Sequence, residues 1–555
     1  MRIESQLLAG VPGSVPGETS VGARRRSRID RVELVLLAAF ALMSMWIVAV
    51  DVWQAVAHDR VWTGTDGFFI VDQMQYLAWI QSASHHLLVS NLFVLRDTPS
   101  DYFQPAVAIS GVVAALGVAP WLALLLWKPV AVVGTFFALR AYAHRTVTTT
   151  GQRRAVIVLG LFFGSFTIVY GSFGIVGDMM PGWLSWGYPF GLIAVALIVF
   201  ALLGYGQARE RGELAWGPGL LGAVASTLHP WQGELLILIV LMAELIRWRE
   251  HRRGQALGLP LLTLVLTGAP LLYYLALGHI DLSWGLAREA SKHTFSLGTI
   301  ALGVAPLALV AALGYRGRPR NFLELMTRLW PLAALLIWGL SASALSATPL
   351  HAFNGITLPM AVLAVTGVTR QGWHRLPRAR IAGALALAAA TIPANAYAIV
   401  VAPTYVAPTS GNANFITRDE HRALAFLRRD PDDGGVLTQF YLGETVPAQT
   451  GRHTLVGDCL WSQPACMPRS LTADALFEGK MTRAQARAFV RSSGARFVLA
   501  SCAPRVNLRR LLGPLIVSVH RFGCAAVLDL GQAGKAEGPL AELPTHAAVR
   551  APRRQ

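Results

Sequence analysis

Eleven apolar runs recur along the first 401 residues, at 34–50, 121–140, 155–176, 190–204, 217–228, 235–246, 257–277, 297–314, 330–345, 356–368 and 381–401. Runs of this kind suit the core of a bilayer, where a chain must satisfy its own backbone hydrogen bonds and therefore crosses as helix. With 54% hydrophobic and 14% charged residues, the composition is too oily for a soluble domain. The expected fold class is an α-helical polytopic membrane protein of about eleven spans, with a polar domain after the last one. Run 34–50 is long for a signal-peptide core, and although Ala55-Val56-Ala57 looks like a cleavage site, the run reads as an uncleaved first helix.

The formal charge of +17 is carried largely by short basic clusters between runs. Arg24, Arg25, Arg26, Arg28 and Arg31 precede the first run; others follow at Arg140 to Arg154, Arg209 and Arg211, Arg247 to Arg253, Arg316 to Arg320 and Arg370 to Arg380. This is the positive-inside pattern, so the basicity orients the chain in a lipid bilayer and does not point to nucleic acid. The N-terminus is expected in the cytoplasm and, after an odd number of spans, the C-terminus outside a plasma membrane. Cysteine usage agrees: Cys459, Cys466, Cys502 and Cys524 all lie in the last quarter, as disulfides in an oxidising compartment would. Cys459 to Cys466 with Cys502 to Cys524 is one of three connectivities.

The domain reading is a basic cytoplasmic tail at 1–31, a membrane module at 32–401 with a first outer loop at 51–105, an extracytoplasmic α/β domain at 402–530 and a disordered tail at 531–555. Residues 106–117 are expected as a helix at or dipping into the interface. Runs 217–228 and 235–246 are short and joined by HPWQGE, a pairing tolerated in membranes where it lines a cavity. In the polar domain, Thr417 with Glu420 and Thr482 with Gln485 are capping boxes that open helices. VLTQFY, RFVLAS, LIVSVHRF and AAVLDL read as strands. Asp430-Pro-Asp432 has a metal-site spacing but reads as a turn. No Walker motif and no nucleotide-binding glycine fingerprint is present, so ATP-driven transport has no support.

The first loop gathers Asp51, Asp59, Asp66, Asp72, Asp97 and Asp101. From Asp72 the segment DQMQYLAWI is amphipathic, with Asp72, Tyr76 and Trp79 spaced to share a helix face. A carboxylate followed four residues later by Tyr, soon after a first span, resembles the first outer loop of the GT-C superfamily of polyprenyl-phosphate-sugar-dependent glycosyltransferases. Asp101-Tyr-Phe-Gln104-Pro105 resembles the segment leading into the next membrane helix in the aminoarabinose and protein-mannosyl transferases of that superfamily. Residues 442–453 and 456–461 resemble the extracytoplasmic domain of some bacterial GT-C-like proteins.

The resemblance implies inverting transfer of a hexosyl or pentosyl group from a polyprenyl-phosphate donor to an envelope glycan or glycolipid acceptor at the outer face. Such chemistry wants a carboxylate to take the acceptor proton and cationic or hydrogen-bonding groups on the departing phosphate. Asp72 matches the acidic position, with a helix N-cap as its plain alternative. Asp66 and Asp51 are the other catalytic candidates. His229 in LHPWQGE, His351 in TPLHAFNG and Lys128 inside the second run are the donor-phosphate candidates, with snorkelling the alternative for Lys128. Tyr76, Gln104, Glu234 and Trp461 are the substrate candidates; Glu234 could instead orient His229, and Trp461 could be a core residue. His85-His86 and the pair Arg288 and Lys292 read more simply as solvated surface. The resemblance fixes no cofactor; a divalent metal, Mg2+ or Mn2+, is the candidate, and Gln73 and Gln104, where related enzymes can carry acids, count against it. Transport of a lipid-linked glycan, or a structural assembly role, is the alternative function.

Overall fold

The computed structural model describes residues 28–67, 69–165, 179–250, 257–291, 296–341, 349–409, 411–503 and 506–531. Nearly all of the tails at 1–31 and 531–555, the second half of run 155–176, the end of run 330–345, and Arg252, Arg253 and Lys292 lie outside the described residues.

The membrane module comprises α1 (Arg31–Ala57), strand β1 (Arg60–Trp62), α2 (Ile70–Ala83), α3 (Pro105–Ala115), α4 (Pro120–Leu125), α5 (Trp127–Thr146), α6 (Thr150–Phe162), α7 (Pro181–Leu184), α8 (Pro189–Arg211), α9 (Gly217–Leu228) and α10 (Pro230–Glu250). It continues with α11 (Gly258–Ile280), α12 (Leu282–Ala290), α13 (Leu297–Ala311), α14 (Phe322–Ser341), α15 (Thr357–Arg370) and α16 (Pro377–Tyr405). The C-terminal domain comprises β2 (Phe415–Thr417), α17 (Arg418–Arg429), β3 (Val436–Leu437), α18 (Phe440–Thr450), α19 (Cys466–Phe477), α20 (Arg483–Ser493), β4 (Phe497–Ala500), α21 (Leu508–Leu512), β5 (Ser518–Phe522) and β6 (Ala525–Asp529).

Among the described residues, eight helical segments are long and apolar enough to cross a bilayer, and α6, α9 and α10 occupy the three remaining runs. The region expected as two short segments and a loop is different in detail. Only α9 is short; α10 runs for 21 residues, and the break between them is the single residue His229, extended at φ −155° and ψ 95°. The reason is Pro230. Proline disfavours helical backbone in the residue before it and then opens the next helix with its own fixed φ.

At the bundle end remote from α2, basic residues are paired. Arg140 donates to Glu33 (3.0 Å), Arg154 to Asp30 (3.1 Å) and Arg209 to Glu244 (2.6 Å). Glu324 gathers Arg320, Arg328 and Arg370.

At the other end, the C-terminal domain carries a sheet of order β3-β4-β6-β5, with β3 and β4 parallel and the other pairs antiparallel. Thr417 and Thr482 form their capping boxes, Gly494 ends α20 in the left-handed conformation, and the disulfides join Cys459 to Cys466 and Cys502 to Cys524. The stretch VLTQFY makes only two residues of strand. The Thr438 hydroxyl donates to the Leu499 carbonyl, and from Phe440 the chain turns into α18, burying Leu442 and Val446. A second ladder, unseen in the sequence, pairs β1 with β2 antiparallel, Arg60 opposite Thr417 and Trp62 opposite Phe415. It stitches the first loop to the C-terminal domain.

Gly443 of α18 lies against the Val456 carbonyl so closely that a Cβ there would overlap its oxygen. Gly443→Ala is expected to destabilise the domain by about 1–3 kcal/mol, since backbone rather than a pliable side chain must give way. Thermal unfolding of the detergent-solubilised chain checks this.

Candidate active site

The sequence-selected residues separate into two groups, one engaged in holding the fold and one facing a shared polar interior. Asp51, in the last two turns of α1, is fully buried; its Oδ1 accepts from Asn414 Nδ2 (2.7 Å) and its Oδ2 from the Gly67 amide (3.2 Å). Asp66 is ion-paired with Lys128 near the start of α5, and both are buried. Gln73, on the first turn of α2, clasps the Asp66 backbone from both sides, its Oε1 accepting from the Asp66 amide (2.9 Å) and its Nε2 donating to the Asp66 carbonyl (2.6 Å). Gly187 lies across this clasp with φ 128°, and a Cβ there would collide with Gln73. Lys128 is thus a counter-ion, neither snorkelling nor free for a phosphate. Gln104 is the N-cap of α3, its Oε1 accepting from the Val107 amide (2.7 Å).

The second group begins with Asp72. The N-cap of α2 is Phe69, so Asp72 stands inside the first turn, where a carboxylate is favoured by the helix dipole, and is only partly buried. One turn on, the Tyr76 ring packs against Tyr188 at 6.4 Å, and the Tyr188 ring lies 6.0 Å from His229 and 5.7 Å from His351. The two imidazoles are 5.0 Å apart, with Trp231 against both at 4.7 and 4.5 Å. His351 comes from a 3-10 turn, Pro349–Phe353, whose carbonyl at His351 accepts from Gln232 (3.1 Å). His229 is 2% exposed, yet among the described residues neither of its ring nitrogens has a hydrogen-bond partner. Glu234, one turn into α10, therefore makes no hydrogen bond to His229. A buried imidazole with both nitrogens unsatisfied is costly unless a ligand uses them.

Two carboxylates from the C-terminal domain, missed in the sequence, extend this group. Asp458 is buried, with Oδ1 accepting from the Leu460 amide (2.8 Å); burial first, and then the charge of Asp72, pushes its carboxyl up to about 7. Glu444 on α18 is pushed well above the ordinary range by burial and by Asp458. Nothing local in GDCLW marks Asp458. Only the packing of α18 and its following turn beside α2 brings these acids near Asp72. Trp461 closes the same turn, 5% exposed, its ring 5.5 Å from Trp79 and 4.7 Å from Trp284. It welds the domain to the bundle and offers no open face for stacking a sugar.

No family model matches the sequence, and no curated protein matches it by sequence. Solved structures do match in shape. The oligosaccharyltransferase of Archaeoglobus fulgidus, with a tethered acceptor peptide containing the NVT sequon, aligns with a TM-score of 0.53 at 12% identity, over 85% of this chain and 69% of that one. ArnT from Cupriavidus metallidurans, bound to undecaprenyl phosphate, aligns with a TM-score of 0.50 at 14% identity, over 91% and 99%. The fold is that of the GT-C membrane glycosyltransferases.

Mg2+ and Mn2+ need several uncommitted oxygens, and two of the first-loop acids offer none: Asp66 is paired with Lys128 and both Asp51 oxygens are engaged. Among the described residues, the one close cluster of ligand-type side chains is Asp419, Cys502 and Cys524, and its sulfurs are joined in a disulfide. The arrangement supplies instead a carboxylate, Asp72, on one side of an aromatic wall and two imidazoles on the other.

Two measurements probe these groups. Lys128→Met strands a buried Asp66 and is expected to cost about 3–5 kcal/mol in thermal unfolding, while the double variant Asp66→Asn with Lys128→Met recovers most of it. For Asp458, the folded state holds its proton up to about 7 while an unfolded chain releases it near 3.8. The folded form therefore binds more protons in that window, and stability falls as pH rises through it. Asp458→Asn is expected to flatten the slope of melting temperature between about pH 5 and pH 7.5.

Proposed function

We propose that this chain is a membrane glycosyltransferase that moves a hexosyl or pentosyl group from a polyprenyl-phosphate donor to an envelope glycan or glycolipid, at the outer face and with inversion. The observation that carries the proposal is the buried, unsatisfied imidazole of His229 at a one-residue helix break, beside His351 and joined through Tyr188 and Tyr76 to the helix that bears Asp72. The GT-C fold supports the reaction class, and ArnT, in the same fold, binds undecaprenyl phosphate. The arginines paired at the opposite end of the bundle support this sidedness, since the positive-inside rule favours the cytoplasm for such clusters.

In this reading the donor phosphate lies at His229 and His351, whose N–H groups take up charge as the bond from the anomeric carbon to the phosphate oxygen breaks. The acceptor hydroxyl attacks the opposite face of that carbon and gives its proton to Asp72. One bond forms as one breaks, and the configuration inverts. Tyr76 and Tyr188 separate proton acceptor from leaving group, which keeps the base from protonating the phosphate directly. The Asp66 and Lys128 pair holds the loop that aims α2, as a positioning device.

Membranes containing the chain, supplied with radiolabelled polyprenyl-phosphate sugars and a crude envelope-glycan acceptor, are expected to show transfer. Asp72→Asn should reduce kcat by about 100-fold or more with expression unchanged, and His229→Ala should raise the donor KM by about tenfold. Transfer that survives Asp72→Asn but not Asp66→Asn with Lys128→Met would move the base to Asp66. Absence of transfer with every donor, together with donor-dependent flipping, would replace the proposal with lipid-linked glycan transport.

A further inference from the structure

Buried cations in this chain are generally matched: Lys128 has Asp66, Arg328 has Glu324 and Arg209 has Glu244. Arg469 is different. It lies in α19, 2% exposed, and neither Nε nor Nη2 has a hydrogen-bond partner. The charged side chain whose field reaches it is a second cation, Arg96 of the first loop. Arg96 donates to Ser283 Oγ (3.3 Å) at the start of α12. The charge of Asp281 acts on Arg96 and on Asp101, and the Asp281 Oδ1 is taken by the Ser283 amide (2.7 Å).

Burying a guanidinium costs several kcal/mol unless an anion and further hydrogen bonds compensate, and a neighbouring arginine adds repulsion. Guanidinium forks with unspent N–H donors are the standard means of gripping a planar or tetrahedral oxyanion. The place is informative. The Cys459 to Cys466 disulfide ties the start of α19 to the turn bearing Asp458 and Trp461, and Trp461 packs on Trp284, which follows Ser283. Arg469 and Arg96 thus belong to segments tied to Trp461 and Trp284, at the junction whose turn also bears Asp458.

We propose that Arg469 and Arg96 form an oxyanion subsite for the acceptor, gripping a carboxylate or phosphate carried by the glycan or glycolipid while its reacting hydroxyl reaches Asp72. The word acceptor rests on the glycosyltransferase proposal; the anion site does not. The subsite makes an acidic acceptor the preferred substrate class.

The test uses the full chain in detergent, titrated with D-glucuronate, inorganic phosphate and, as neutral control, D-glucose, with thermal unfolding as readout. The wild type is expected to be stabilised by at least one anion and not by glucose, with apparent affinity about tenfold weaker in Arg469→Gln, partly kept in Arg469→Lys and weakened in Arg96→Gln. A response to glucuronate identifies a carboxylate-bearing glycan, and one to phosphate identifies a phosphorylated acceptor. Should Arg469→Gln not fold, Arg96→Gln carries the comparison. No anion response in the wild type, or an equal response in the folded variants, overturns the subsite. Binding of undecaprenyl phosphate is measured in parallel. Binding kept in Arg469→Gln and weakened in His229→Ala supports both proposals, binding absent from the wild type refutes only the donor, and binding lost in Arg469→Gln but kept in His229→Ala overturns the acceptor assignment.

Discussion

A single buried carboxylate, Asp51, ties the architecture together. It lies in the last two turns of the first membrane helix, and its two oxygens hold the Gly67 amide of the first loop and the Asn414 side chain at the start of the C-terminal domain. A buried polar group is tolerated only with such hydrogen-bond partners, so the three segments are fixed relative to one another or its oxygens are left unsatisfied. The ladder of β1 with β2 lies beside it, and the Asn91 side chain donates to the Trp461 carbonyl (2.9 Å) further along the same junction. The consequence is a polar domain seated on the loop that carries Asp72.

That seating divides the acids of the first loop by role. Asp51 and Asp66 are spent on structure, each with a partner that would have to be removed before it could act as a base. Asp72 stays partly exposed at a helix start, and the acids it meets, Asp458 and Glu444, arrive from the other domain. The His229 break supplies the complementary half. A membrane helix can be interrupted only where other groups replace its backbone partners, and here the interruption spans one residue whose side chain points into a buried aromatic nest. An oxyanion grip at Arg469 and Arg96 would add a third element, so that donor phosphate, reacting hydroxyl and acceptor charge each meet a different part of the chain.

The membrane spans, their order and the α/β domain were legible because hydropathy and capping boxes are local signals. The helix face shared by Asp72 and Tyr76 and the Pro-marked break at His229 were local signals too. Asp458, Glu444 and Arg469 were not legible. Nothing in GDCLW, LGETV or CMPRS distinguishes an interfacial acid or arginine from a surface one; only the packing of α18 and α19 against α2 and the first loop does. Lys128 misled for the opposite reason. A lysine in an apolar run invites a phosphate or a snorkel, and its partner Asp66 lies 62 residues away in sequence. The length of α10 was missed because HPWQGE is polar, although Pro230 at its first position marks a helix start.

The account turns on where a lipid phosphate binds. The most direct measurement is an experimental structure of the full chain with undecaprenyl phosphate. The account predicts phosphate oxygens within about 3 Å of the His229 and His351 ring nitrogens, with the polyprenyl tail leaving alongside α9 and α10. A phosphate bound instead between Arg469 and Arg96, with the histidine pair unchanged and unliganded, would contradict it.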